Sequence, residues 1–296
     1  MNLLKLGIPK GSLEAATIEL FRKSGWKITT NARSYFPAID DPEITCNLVR
    51  AQEISRYVAS GNLDAGITGK DWILENGSDV AVACDLVYSK ASLRPTRWVL
   101  AVPKDSDVNR PEDLHGKTVA TELVNYTRRY FADRSVAVTV QFSWGATEAK
   151  AAEGLVDAIV EVTESGSTIR AHGLRIVCEL FESNPQLIVN HDAWTDPWKR
   201  AKVDQIRLLL QGALVAETKV GIKLNVRRGD LDAVVALIPS LTAPTVAQLY
   251  PTAALRGEEW LSVESVIAEA VARELIPRLQ AAGAVGIIEY PLNKII

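Results

Sequence analysis

Short apolar, partly β-branched runs alternate with amphipathic stretches of helical period through the first two thirds of this chain, and few folds accommodate that alternation. Strands are predicted over 3–8, 65–68, 98–102, 118–121, 138–142 and 157–162. Helices are predicted from Ser12, over 54–59, from Asp71, from Thr127 and over 147–153. Leu13, Ala16, Leu20 and Phe21 give the first helix its apolar face, and Gly25 stops it. The pattern predicts parallel sheets with helices on both faces, so that ligands gather at the strand C-terminal ends.

The order changes near the segment WTDPWKRAKVDQIR at 194–207. Beyond it strands are predicted over 219–226, 245–249, 259–265 and 284–290, with helices over 231–237 and 273–282. That βαββαβ order is the signature of a ferredoxin-like module. At 296 residues the chain has room for two or three domains with their own cores. With 47% apolar and 23% charged residues and a formal net charge of -3, nucleic acid is not expected as a main partner. No apolar run approaches the roughly 20 residues that span a bilayer, so no membrane association is expected. Lys5, Pro9 and Lys10 interrupt the first residues, which therefore lack a signal peptide's apolar core; a cytoplasmic protein is expected. Cys46, Cys84 and Cys178 are odd in number and far apart, which predicts buried thiols, not a disulfide framework. His115, His172 and His191 show no metal-ligand spacing.

Chemistry concentrates at the strand–helix junctions. The most informative is DAIVEVTESGST at 157–168, a buried strand with Glu161 near its end and then a loop of small residues. Ser165, Gly166, Ser167 and Thr168 can turn backbone N–H groups and hydroxyls toward one point, at a helix expected to begin near Ile169. A sugar phosphate satisfies both ends: the loop takes the phosphate and Glu161 takes sugar hydroxyls. The alternative is an ordinary turn in which Ser or Thr caps the helix. Lys10-Gly11-Ser12 joins a cation, a glycine and a possible cap, and a second junction runs from Gly66 to Asp71. A third contains Arg128 and Arg129 near a helix start, where a bound polyanion would offset their repulsion from the dipole. Arg50 and Arg97 are further candidate cations, able to clamp phosphate through two N–H groups.

Taken together, IPKGSL at 8–13, RAQEISRYVASGNLDAGITGKD at 50–71, ATELVNYTRRYF at 120–131 and EAKAAEGLVDAIVEVTESGST at 148–168 resemble the ATP phosphoribosyltransferase family, the first enzymes of histidine biosynthesis. SLTAPTVAQL at 240–249 and LQAAGAVGIIEYPLNKII at 279–296 resemble the regulatory domain of that family's long form. The family usually has Arg where Ser12 stands, Asp where Glu161 stands and Thr where Ser165 stands, so Lys10 is left to supply the basic contact near Ser12.

The resemblance implies an α/β fold: a two-lobed, periplasmic-binding-protein-like catalytic body with a C-terminal ferredoxin-like βαββαβ regulatory domain. Lobe one is expected over 1–96 with 186–204, lobe two over 97–185 and the regulatory domain over 205–296. It implies transfer of 5-phosphoribosyl from phosphoribosyl pyrophosphate to N1 of ATP, with Mg²⁺ bound mainly through substrate phosphates. Glu161, Lys10 and Arg50 are the expected catalytic residues. Glu161, Glu164, Ser165, Gly166, Ser167 and Thr168 would bind phosphoribosyl pyrophosphate, and Lys10, Gly11, Arg50, Asp71, Arg97 and Arg128 would bind ATP. Asn225, Leu241, Thr245 and Gly286 match an L-histidine effector site, and a homo-oligomer, dimer or hexamer, is implied. Three other readings stand beside this one: a two-lobed solute-binding protein, a regulatory paralogue without activity, and a phosphoribosyltransferase acting on a free base. The last usually has two adjacent acids before its loop, whereas Val162 follows Glu161.

Overall fold

A computed structural model describes residues 2–31, 35–88, 95–250 and 257–296. The chain divides into two compact units, Met1–Arg207 and Leu208–Ile296. The first unit holds two lobes, each built on a five-stranded sheet.

Lobe one begins with β1 (Leu4–Lys10), α1 (Glu14–Ser24), the short pair β2 (Ile28–Thr29) and β3 (Ala38–Ile39), and β4 (Ile44–Arg50). It continues through α2 (Ala51–Ala59), β5 (Ala65–Gly69), α3 (Lys70–Asn76) and β6 (Ala81–Asp85). Lobe two is one continuous stretch: β7 (Thr96–Pro103), β8 (Thr118–Thr121), α4 (Val124–Ala132), β9 (Thr139–Phe142), α5 (Thr147–Ala152), β10 (Ala158–Thr163), α6 (Ser167–Ala171) and β11 (Leu174–Ser183). The chain then re-enters lobe one as β12 (Pro185–Val189), followed by α7 (His191–Thr195) and α8 (Pro197–Ala216).

The sheets are mixed, not parallel as expected. In lobe one, ordered β4-β1-β5-β12-β6, the returning β12 runs antiparallel to both β5 and β6. In lobe two, ordered β11-β7-β10-β8-β9, β7 is antiparallel to β10 while β10, β8 and β9 are parallel. Each reversal falls where the chain passes between lobes and no crossover helix is available to restore direction. Helices nevertheless cover both faces of the lobe-two sheet. Leu123 and Phe131 of the α4 region pack with Trp98, Leu100 and Val160 on one side. Ala151 of α5 and Ile169 of α6 pack with Val99 and Ile159 on the other.

The second unit has β13 (Lys219–Arg227), α9 (Leu231–Val235), β14 (Thr245–Gln248), β15 (Trp260–Ala268), α10 (Glu269–Ala281) and β16 (Val285–Pro291). Its antiparallel sheet has the order β14-β15-β13-β16, which with the βαββαβ sequence is the ferredoxin-like arrangement. Alternate residues Val220, Ile222, Leu224 and Val226 of β13 join Val263 of β15 and Leu275 and Leu279 of α10 in one core.

Candidate active site

A cavity of about 320 Å³ lies between the two lobes. Lobe one supplies Lys10 from the end of β1, Gly11 and Ser12 from the turn after it, Arg50 from the end of β4, and Asp71 from α3. Lobe two supplies Trp98 from β7, Glu122 after β8, and Val162 and Glu164 at the end of β10. The cavity thus sits at the C-terminal ends of β1, β4 and β10, where the sheets leave backbone ends unpaired.

Local geometry shows why these residue types stand here. β1 continues through Pro9 and Lys10, pairing Lys10 with Arg50 of β4, so two cations leave adjacent strands side by side. The expected cap at Ser12 is replaced by Leu13, and the Gly11 N–H is met by the Glu14 carboxylate at 3.3 Å. The Lys10 ammonium lies 3.8 Å from the centroid of the Tyr35 ring. Asp71 is bracketed: Oδ2 accepts the Trp98 indole N–H at 3.0 Å, and Oδ1 accepts the Trp72 amide at 2.9 Å. Burial pushes its carboxyl up, partly offset by those donors. Glu122 is pushed up as well, by burial and by the charge on Asp71.

Glu161 does not line the cavity, although Val162 and Glu164 do. Successive strand residues face opposite sides, so Glu161 shares the α5 and α6 side of the sheet with Ile159, and Val162 shares the Trp98 side. Its Oε1 accepts the Val162 amide at 3.0 Å. Burial pushes the Glu161 carboxyl up to about 7; hydrogen bonds from Val162 and the Thr147 hydroxyl pull it back, while Glu148 and Glu122 push it further.

The loop after β10 partly satisfies itself. Gly166 N–H donates to Thr163 Oγ1 at 2.8 Å, and Ser167 N–H to Ser165 Oγ at 3.3 Å. Gly166 has φ +72°, and a β-carbon there would stand 2.9 Å from an Arg170 guanidinium nitrogen. α6 begins at Ser167, so Ser167 and Thr168 lie in its first turn instead of before it. Arg170 also donates to the Ser165 carbonyl at 3.1 Å, bringing to this loop a cation that sequence reasoning missed. Its position one turn beyond Ser167 was the available signal.

Arg97 and Arg128 are not brought to the cavity. Arg97 pairs with Glu179 across β7 and β11 at 3.3 Å, and Arg128 is exposed on α4. In the second unit, Gly286 has φ +58°, and a β-carbon there would lie 3.5 Å from Asn225 Nδ2. Thr245 is on β14, separated from β13 by β15, and Leu241 is exposed in the preceding loop. Cys46 and Cys84 are buried, with burial pushing their thiols up to about 12 and about 11; Cys178 is half-buried, 3.7 Å from the Tyr130 hydroxyl. No helix among the described residues is long and apolar enough to cross a membrane.

Two sheets whose strand ends converge on a cavity of cations and acids define a cleft enzyme of the two-lobed α/β class. A family model described as ATP phosphoribosyltransferase matches residues 50–212, and one described as the HisG C-terminal domain matches 216–294. The ATP phosphoribosyltransferase of Solidesulfovibrio magneticus is 62% identical over 100% of this chain and 99% of its own length. ATP phosphoribosyltransferase 1 of Geobacter sulfurreducens is 57% identical over the same shares. Among solved structures, the ATP phosphoribosyl transferase (HisG:HisZ) complex from Thermotoga maritima aligns with a TM-score of 0.63 and 29% identity, covering 73% of this chain and 100% of that one. This chain belongs to the ATP phosphoribosyltransferase family, a group of pentosyltransferases serving histidine biosynthesis.

Proposed function

We propose that the chain transfers the 5-phosphoribosyl group of phosphoribosyl pyrophosphate to N1 of ATP, releasing pyrophosphate, and that L-histidine bound by the C-terminal unit inhibits it. The observation that carries the catalytic reading is the convergence of Lys10 and Arg50 from one lobe with Glu122 and Glu164 from the other on a single cavity. Adenine N1 has a lone pair, so attack needs no strong base. The barrier lies in pyrophosphate departure and in positive charge developing on the ribose. Lys10 and Arg50 would stabilise the leaving phosphates, and Glu161 would hold the ribose hydroxyls. Ser165–Thr168 would receive the 5-phosphate, exchanging internal hydrogen bonds for bonds to it, with Glu164 beside them. The donor would straddle the end of β10, where both faces of the sheet open.

Gly11, Asp71, Arg97 and Arg128 are proposed contacts of ATP, of which Gly11 and Asp71 line the cavity. Aligning two polyanions would contribute more than acid–base chemistry, and closure of the lobes would exclude water. Among the described residues no group of three or more His, Cys, Asp or Glu could hold a metal. That donor set fits Mg²⁺ only as an ion carried by the substrate's phosphates, whose charge it would neutralise when bound.

For the effector, support is the adjacency of Asn225 and Gly286 and the hydroxyl of Thr245 on the same sheet, with Leu241 in the loop before it. Self-association as a dimer or hexamer belongs to the same reading, supported by Val246, Val285 and Ile288 exposed on the edge strands β14 and β16. These substrates imply a cytoplasmic enzyme. The test is an absorbance assay of phosphoribosyl-ATP formation from ATP and phosphoribosyl pyrophosphate, with and without L-histidine. Product formation that histidine suppresses is expected; turnover of free adenine but not ATP would overturn the substrate, and indifference to histidine the regulation.

A further inference from the structure

Behind Glu161 runs a chain of side chains to which the reaction just described assigns nothing. Lys150 Nζ donates to Ser143 Oγ at 2.6 Å, and Ser143 Oγ lies 2.9 Å from Thr147 Oγ1. The Thr147 hydroxyl hydrogen-bonds the Glu161 carboxylate. Ser143 is fully buried and Thr147 is 1% exposed, so water does not substitute for either partner. We propose that Lys150, Ser143 and Thr147 are positioning residues, a relay that delivers a directed hydrogen bond from an ammonium group to the Glu161 carboxylate. The proposal rests on the reading of Glu161 as the group that holds the ribose.

The ends of the chain set its direction. An ammonium can only donate, so Ser143 accepts from Lys150 and keeps its own proton for Thr147. Thr147 then accepts from Ser143 and gives its proton to Glu161. Every hydroxyl is satisfied only when Glu161 is the acceptor, which is the ionised carboxylate. The charged groups facing Glu161 from α5 and from the turn after β8 are Glu148 and Glu122, and both oppose ionisation. On β7 the residue opposite is Val99. Lys150 is therefore the positive charge that reaches Glu161, and it does so through two hydroxyls instead of by contact.

The backbone is shaped to place these groups. Ser143 is pinned by its amide to the Thr121 carbonyl at 3.0 Å as β9 ends. Gly145 and Ala146 then take left-handed conformations, φ +71° and +50°, turning the chain directly into α5. A left-handed alanine costs on the order of 1 kcal/mol. On α5, Thr147 and Lys150 are three residues apart and share a face.

The test is the pH dependence of kcat and of kcat/KM for phosphoribosyl pyrophosphate in Thr147→Val, Thr147→Ser, Ser143→Ala, Lys150→Met and Glu161→Gln. Folding is checked by circular dichroism. Thr147→Val is expected to move the acid limb upward by about half to one pH unit, a loss of roughly 3- to 10-fold on that limb that recovers in alkali. Thr147→Ser should restore the wild-type limb, Ser143→Ala and Lys150→Met should shift it as Thr147→Val does, and Glu161→Gln should abolish it. A wild-type limb in folded Thr147→Val, while Glu161→Gln loses its limb, overturns the relay and spares Glu161. Wild-type rates and limb in Glu161→Gln overturn the role of Glu161 itself. Should Thr147→Val fail to fold, an unshifted limb in Ser143→Ala and Lys150→Met overturns the relay equally.

Discussion

Asp71 is the side chain through which the two lobes are most directly joined, because its carboxylate belongs to α3 and its indole donor to β7. Gly69 makes room for it: a β-carbon there would lie 2.1 Å from Asp71 Oδ1. Gly69→Ala is expected to lower unfolding free energy by about 1–3 kcal/mol, read by denaturant titration, since the carboxylate must leave its donors or the backbone must shift. Trp98→Phe keeps the apolar packing and removes the indole N–H; a loss of about 1–3 kcal/mol is expected, and none would show that Asp71 finds another donor. Glu161 carries a linkage prediction. Its carboxyl is raised from an ordinary 4.5 to about 7, so between those values the native state holds a proton that the unfolded chain releases. Stability contributed by that proton is complete below about pH 4.5 and is lost as pH rises through about 7. Relative to Glu161→Gln, the wild type should therefore lose up to about 3 kcal/mol across that window. Parallel stability curves would refute the burial of this charge.

Helix α4 shows what an element owes to residues outside it. Leu123 precedes it and offers no side-chain cap, yet its first amides are not orphaned. Glu75 of α3, in the other lobe, accepts from Asn125 N–H at 2.9 Å and Tyr126 N–H at 2.8 Å. Glu75→Ala should cost about 1–2 kcal/mol in unfolding free energy, and Glu75→Gln less. This also explains why the sequence places the helix start at Thr127 when it lies at Val124: the cap is 50 residues away along the chain. Elements whose signals are local were legible. β8 spans 118–121 as read, and the βαββαβ order of the last unit follows from its strand and helix periods. β11, β12 and β4 were not read as strands, and β12 is antiparallel because of where the chain returns, which no local pattern encodes. For the site, the Lys10 and Arg50 junctions were legible as cations at strand ends. That Glu161 and Val162 would face different sides was implicit in strand alternation. The Ser143–Thr147–Lys150 chain was invisible, since hydroxyls matter there only through burial.

At the scale of the molecule, regulation by histidine requires that the effector bind two global states with different affinity, and the coupling is reciprocal. Thr245→Ala is expected to raise the histidine concentration for half-inhibition severalfold; an unchanged value would remove Thr245 from the effector site. The insertion of lobe two into lobe one has a consequence for biosynthesis. β6 pairs with β12 alone, and Gln186 meets Asp85 across 101 residues of chain. On a ribosome, lobe two can close as soon as its contiguous stretch emerges. Its predecessor waits, with β5 and β6 held apart by a missing central strand, for about 5–20 s of further elongation. A nascent chain arrested before Pro185 would display two raw sheet margins, the form of this polypeptide that chaperones should recognise most readily.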